Sequence, residues 1–210
     1  MVNNKFKLAT RLNLETWLND PLQVVPAYRN NRFGHPVQPL NIQWLGTIQS
    51  IEATLSQHGF ILQKSTTNLQ ATLINLSKKE ARRPPLIAWL YHNKPAKLLM
   101  TKATNQANTQ IEIRLWHSNI HLFNTTLPLW VGAVNYRTLD NKKLTMNRYK
   151  EISYQFQHQP ILEVLTDILP QNRVLILPSK STTPNTILHN IHWNKRIIII
   201  TPFTNNDLSP

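Results

Sequence analysis

Imidazole is the obvious catalyst or metal ligand in a chain that carries eight histidines and no cysteine. His117 and His121 stand four apart, and His189 and His192 lie beside Trp193. Asn119 and the strand pattern before it put the first pair in a turn, not on one helical face. A zinc site needs three or four converging ligands, and the chain holds 10 Asp and Glu in all to complete one. Both pairs read better as solvated loop histidines than as half of a metal centre, so no metal or cofactor is expected. Glu163 and Asp167 share a helical face at i, i+4, a spacing that suits acid–base chemistry and fits a solvent-facing stripe better still. Ser179, Ser181, Thr182 and Thr183 surround Lys180 in a loop that either holds an anion on its backbone N–H groups or is an ordinary turn. Without cysteine there is no disulfide scaffold, thiolate zinc site, iron–sulfur cluster or cysteine nucleophile. The sequence also lacks a P-loop, a dinucleotide fingerprint, His-Glu-x-x-His and Gly-x-Ser-x-Gly. Four glycines leave little material for a glycine-rich phosphate cradle.

The stronger signal is electrostatic. Lys and Arg number 23 against 10 acidic residues, a net charge of +13. Residues 1–70 carry 6 basic and 3 acidic side chains, residues 71–150 carry 13 and 3, and residues 151–210 carry 4 and 4. The middle segment therefore holds +10 of the excess. Such a field draws nucleic acid, anionic lipid headgroups or phosphorylated ligands; the plain alternative is a well-solvated surface. If the excess is functional, Lys78, Lys79, Arg82, Arg83, Lys142, Lys143, Arg148 and Lys150 should form one connected anion-binding face. Part of the first cluster has a structural account, because cations complement the dipole at a helix C-terminus.

A scaffold must hold these residues, and 41% apolar residues are enough for a core in one domain. The longest aliphatic run, Ile197 to Ile200, falls far short of the roughly 20 residues of a membrane-spanning helix. The N-terminus lacks the apolar centre of a signal peptide, so a soluble chain is expected. Residues 1–38 read as an irregular arm packed on the domain, broken by Pro21, Pro26, Pro36 and Pro39 and anchored by Trp17, Leu18, Leu22, Val24, Val25 and Tyr28. Residues 39–210 form the domain. Leu40 to Leu45 alternates apolar and polar residues, the pattern of a half-buried strand. Ile48, Ile51 and Leu55 follow at helical spacing, with Gly59 placed for a C-terminal cap, and Phe60 to Leu62 restarts a strand.

Leu69, Leu73 and Leu76 predict a second helix ending at Pro84-Pro85. Lys97 to Ala103 and Gln110 to His117 predict a hairpin. Leu129 to Tyr136 is apolar on both faces and should be central. Residues 137–158 read as extended, and Ile161 to Ile168 as a helix between Pro160 and Pro170. Val174 to Leu177 and Ile197 to Ile200 read as buried strands. The outcome is a single α+β domain, a mixed sheet with a few short helices. Leu40–Leu45, Ile111–Leu115, Leu129–Val134 and Val174–Leu177 are expected in that one sheet.

Pro39-Leu40-Asn41-Ile42-Gln43-Trp44-Leu45-Gly46, followed by a helix ending at Gly59-Phe60, resembles the opening of the LssY C-terminal domain. Ile113-Arg114-Leu115-Trp116 and Leu127-Pro128-Leu129-Trp130-Val131-Gly132 resemble its two later strands in the expected order, over roughly residues 13–180. The resemblance implies a domain that follows membrane segments like those of DedA proteins or type-2 phosphatidic acid phosphatases. The activity of such a domain is itself uncharacterised, and the catalytic residues of a phosphatase are not in this chain. Arg83-Pro84 has Leu76 where the phosphatase pattern needs Lys, and neither Pro-Ser-Gly-His nor Ser-Arg-x5-His occurs. Trp44, Trp116 and Trp130 sit among aliphatic neighbours and fit core packing. Gly46, Gly59 and Gly132 fit turn, cap and close-approach roles.

Charge and resemblance together point to a non-catalytic recognition domain of a bacterial membrane-associated protein. Its partners would be an anionic membrane surface or a phosphorylated ligand, together with the membrane segments of a parent protein. That places it at the inner membrane, or in the cytoplasm if the chain is free-standing. Nucleic-acid binding is the alternative, hinted at by Arg148-Tyr149-Lys150 and Tyr154. An unrecognised hydrolase ranks third, since no nucleophile–base pair is visible.

Overall fold

The computed structural model describes residues 10–23, 25–30, 36–63, 90–92, 94–105, 109–123, 125–138, 164–165, 169, 174–178 and 196–202. In chain order these form β1 (Thr10–Leu12), α1 (Leu14–Asn19), β2 (Tyr28–Asn30), β3 (Pro36–Pro39), β4 (Ile42–Leu45), α2 (Ile48–Gln57) and β5 (Ile61–Leu62). They continue as β6 (Leu90–Tyr91), β7 (Lys94–Pro95), β8 (Leu98–Ala103), β9 (Thr109–Leu122), β10 (Pro128–Thr138), β11 (Val174–Pro178) and β12 (Arg196–Ile200). Eight strands join in one sheet of order β11-β12-β4-β10-β9-β8-β5, with β1 added alongside β9. The pairs β12–β4 and β1–β9 are parallel, and the other pairs are antiparallel. A mixed sheet with short helices makes the fold α+β, and the four segments expected in one sheet all lie in it. β2–β3 and β6–β7 are separate two-stranded ribbons.

Strand periodicity divides the core into two layers. Ile42 and Trp44, Ile111, Ile113 and Leu115, Trp130 and Val134, and Ile198 and Ile200 pack on the first face with Ile51 and Leu55 of α2. Leu165 and Leu169 join them, and the Leu169 N–H donates to the Leu165 carbonyl at 2.9 Å; most of the expected 161–168 helix lies outside the described residues. α2 is built as its sequence requires. The Thr47 hydroxyl accepts from the Ser50 N–H at its start. At its end Gly59 takes φ +81°, while Phe60 N–H donates to the Leu55 carbonyl and Gly59 N–H to that of Ser56. This is a Schellman ending, with Phe60 and Leu55 packed together in the first layer.

The second face carries Leu45, Trp116, Leu129, Val131, Ile197 and Ile199, covered by Trp17, Leu22 and Val25 from the N-terminal segment and by Tyr91. That segment is not irregular as expected: it contains β1, α1 and the β2–β3 ribbon. Prolines stop long helices, but Asn13 caps a short one by accepting the Glu15 N–H. β4 is likewise not half-buried. All four of its residues are buried, because the N-terminal segment covers the face its polar residues occupy. β11 lies at the sheet edge, and Val174 to Leu177 are half-buried instead of buried. Of the stretch 137–158 expected to be extended, residues 137 and 138 end β10, and the rest, like the expected helix through Leu69, Leu73 and Leu76, lies outside the described residues.

β9 also runs further than its pattern suggested. His117 and His121 belong to the strand, not to a turn. Asn119 takes φ +59°, and the ladder shifts there, since Trp130 pairs with His117 but Pro128 with His121. The Ser118 hydroxyl fills the gap, donating to the Leu129 carbonyl at 2.7 Å and accepting from the Ile120 N–H at 3.0 Å. This bulge swings the strand's end toward β1.

Gly132 sits where β10 meets both neighbours. A Cβ there would lie 2.2 Å from the Arg114 carbonyl oxygen and 2.6 Å from Leu115 Cδ2. Because the first obstacle is backbone, Gly132→Ala should destabilise the protein by roughly 2–4 kcal/mol. Chemical denaturation checks this; a loss below about 0.5 kcal/mol would show that the strands separate freely.

Candidate functional site

All eight cations expected to form the anion-binding face lie outside the described residues. The same holds for Glu163 and Asp167, the Lys180 loop, and His189 and His192. Of the thirteen basic residues in 71–150, five are described: Lys94 and Lys97 are exposed, Lys102 is half-exposed, Arg114 is buried, and Arg137 is the last residue but one of β10. Lys102 Nζ stands 5.7 Å from the Phe60 ring centroid, within cation–π range.

The His117 and His121 rings are 6.4 Å apart. His117 Nδ1 accepts the Asn119 backbone N–H at 3.0 Å, and its ring packs edge-on against Trp130. That nitrogen is engaged by the bulge. Among the described residues no group of three or more His, Asp or Glu gathers around a common point.

The chemistry that the sequence did not reveal lies on the second sheet face. Its buried polar residues come from β4, β9 and β10, strands otherwise filled with aliphatics. Trp17 Nε1 donates to Gln43 Oε1, while Gln43 Nε2 donates to the Pro21 carbonyl at 2.9 Å. Asn41 extends the sheet with its side chain: Oδ1 accepts the Val134 N–H at 2.8 Å, and Nδ2 donates to the Val134 carbonyl at 3.0 Å. Arg114 and Glu112, two apart on β9 and so on one face, form an ion pair at 2.8 Å with both side chains 5% exposed. Asn135 lies directly opposite Glu112. The β2–β3 ribbon adds Arg29, whose Nε donates to Gln38 Oε1 at 3.4 Å, both buried. A single sequence signal existed for part of this set. Glu112 and Arg114 alternate with Ile111, Ile113 and Leu115, but alternation is the normal sign of a solvent-facing strand side, so nothing marked them as buried.

The residues of the three sequence motifs mostly hold the fold. Trp130 Nε1 donates to the Gly46 carbonyl at 2.8 Å, tying β10 to the turn after β4. Tyr91 lies over Trp116, with ring centroids 6.5 Å apart. Burial pushes its phenol up to about 12, from the ordinary 10.

Sheet order, short helices and a buried polar face define an α+β domain whose motif residues are largely structural. The chain belongs to the LssY C-terminus family, whose sequence pattern matches residues 22–154. The match takes in all three motifs and is shorter than the 13–180 stretch expected from them. No curated protein and no solved structure matches the chain.

Two outcomes follow from these contacts. Gln43→Leu strands the Trp17 indole N–H and the Pro21 carbonyl, and should cost about 1–3 kcal/mol. Limited proteolysis should then cut the N-terminal segment before the sheet; unchanged cleavage would assign that segment's docking to apolar contact alone. Tyr91 tests burial by pH. Its phenol stays protonated to about 12 in the fold but ionises near 10 when unfolded. Its contribution is therefore full below pH 10 and declines as pH rises from 10 to 12. Absorbance titration at alkaline pH should show a tyrosine ionising well above the others, and co-ionisation of all of them would contradict this.

Proposed function

We propose that this chain is a non-catalytic recognition domain for phosphorylated, anionic ligands, the headgroups of an anionic membrane surface being the leading case. The observation that carries the reading is the +10 excess confined to residues 71–150. The described part of that segment bears it in part: Lys94 and Lys97 stand in solvent on the approach to β8, whereas Arg114 is neutralised by Glu112. Lys142 and Lys143 follow the end of β10 within five residues, a reach of about 17 Å from Thr138. Arg82 and Arg83 precede Leu90 by at most eight residues, a reach of about 29 Å.

Family membership supports a membrane-proximal setting through the segments that precede such domains. Among the described residues no helix is long and apolar enough to cross a membrane. Each basic side chain near an anionic surface adds up to about 1 kcal/mol, screened within about 8–10 Å at physiological salt. Four to six of them give weak, salt-sensitive binding.

The test is co-sedimentation with vesicles of phosphatidylcholine alone or with phosphatidic acid, over a salt series, beside single- and double-stranded oligonucleotides. Anionic vesicles should bind the chain at low salt. The double change Arg82→Glu and Arg83→Glu should weaken binding at least ten-fold without changing Tm. Tighter binding to oligonucleotides than to anionic vesicles would favour the nucleic-acid reading. Indifference to both would reduce the charge to solvation.

A further inference from the structure

Among the described residues, large apolar side chains stand in solvent at Ile61, Leu62 and Phe123, which are 66%, 46% and 51% exposed. A single exposed apolar residue is ordinary. Ile61 and Leu62 are consecutive, and together they make up the whole of β5, the last strand at one end of the sheet. Phe60, immediately before them, is buried in the first layer. The chain therefore leaves the core and at once presents two more apolar side chains outward. An edge strand of two residues is too short to template pairing with another strand, so β5 offers its side chains and not its backbone.

The ladder fixes where each side chain lies. Ile61 is opposite Thr101 and Leu62 opposite Met100, which puts them on opposite faces of the sheet margin. Gln63 borders Ile61, with Nε2 donating to the Thr101 hydroxyl at 3.0 Å. On the face of Leu62, Lys102 follows Met100 by two residues. A Cβ on Gly59 would lie 3.9 Å from Lys102 Cε, and Lys102 Nζ stands 5.7 Å from the Phe60 ring centroid. The lysine stem thus runs along apolar surface toward its charged head. Lys97 is exposed just before β8, within about 14 Å of Thr101 along the chain. Exposed aliphatics beside lysines whose stems lie on apolar surface suit the boundary between acyl chains and lipid headgroups.

The opposed faces decide the occupant. A folded partner laid on one face of the sheet covers one of the two side chains and leaves the other in water. A fluid apolar phase around the margin receives both, and the neighbouring ammonium groups favour an anionic one. We propose that β5 is a shallow membrane anchor: Ile61 and Leu62 enter the outer acyl region of an anionic bilayer, and Lys102 and Lys97 stay among the lipid phosphates. The anchor rests on the reading of the chain as a membrane-surface domain, and adds to it an apolar contact that salt does not screen.

The test uses the absence of cysteine from the chain. Ile61→Cys and, separately, Phe123→Cys are labelled with the environment-sensitive fluorophore NBD. Each full chain is mixed with vesicles of phosphatidylcholine alone or with phosphatidic acid. Phe123 is the exposed apolar control, because it follows the far end of β9 from Glu112, the partner of Thr101, a span of roughly 35 Å. With anionic vesicles the label at 61 should brighten and shift to the blue, while the label at 123 stays unchanged. The double change Ile61→Ser and Leu62→Ser should keep the wild-type Tm, weaken vesicle binding about ten-fold and abolish whatever binding the wild type retains at high salt. Sedimentation with anionic vesicles but no change at 61, or equal change at both labels, overturns the anchor and leaves the electrostatic reading in place. Failure of the wild type to bind anionic vesicles at low salt overturns both. A label at 61 that responds to protein concentration without vesicles overturns the anchor in favour of contact between copies of this chain. A serine variant that melts well below the wild type also overturns it, since the pair would then support the fold.

Discussion

The Gln43 amide sits between the sheet and the chain that covers it, accepting from the Trp17 indole and donating to the Pro21 carbonyl. Burying it there settles how the second face is used. A glutamine in the middle of a central strand would lose several hydrogen bonds on burial unless partners came to it. Here the partners arrive from residues 17–21, and the same approach delivers Trp17, Leu22 and Val25 onto Leu45, Val131 and Ile199. Hydrogen bonding and apolar burial thus reinforce each other. The strand is buried on both sides because one polar side chain fixes where the covering segment lies.

The neighbouring strands obey the same requirement by different means. Asn41 substitutes its side chain for a missing backbone partner of Val134, so the ladder continues one residue beyond β4. The Ser118 hydroxyl does the equivalent at the β9 bulge. Gly132 lets β10 come close enough to β9 for both arrangements to register. The recurring residues of the three motifs therefore describe a backbone accounting problem and its solution. That explains why they identify a family without identifying a reaction.

Much of this was legible from residues alone. Ile48, Ile51, Leu55 and Gly59 specify α2 and its ending, and the apolar run through Leu129 to Tyr136 specifies a central strand. The burial of β4 was not legible, because alternation of Asn41 and Gln43 with aliphatics looks the same whether the polar side meets water or a covering segment. Asn119 was read as the mark of a turn and instead sits in a bulge within β9, because a bulge and a turn share that signal. The short helix after Asn13 was hidden by nearby prolines, which forbid long helices and leave a six-residue one intact. The basic residues were visible as charge but not as a place, since charge excess carries no periodicity that ties it to a face.

The buried pair of Glu112 and Arg114 is the least economical feature of the sheet. Removing two charges from water costs several kcal/mol each, and their attraction offsets that only with good geometry and further hydrogen bonds. Well-packed aliphatics at the same positions are often as stable or more so, and Ile111, Ile113 and Leu115 show that this strand accepts them on its other side. The pair is separate from the electrostatics of the surface, because its charges cancel at 2.8 Å and add nothing to the field that solvent sees. Its presence next to the buried Asn135 amide, whose Nδ2 and Oδ1 have no hydrogen-bond partner, concentrates two departures from an apolar core at adjacent positions of neighbouring strands.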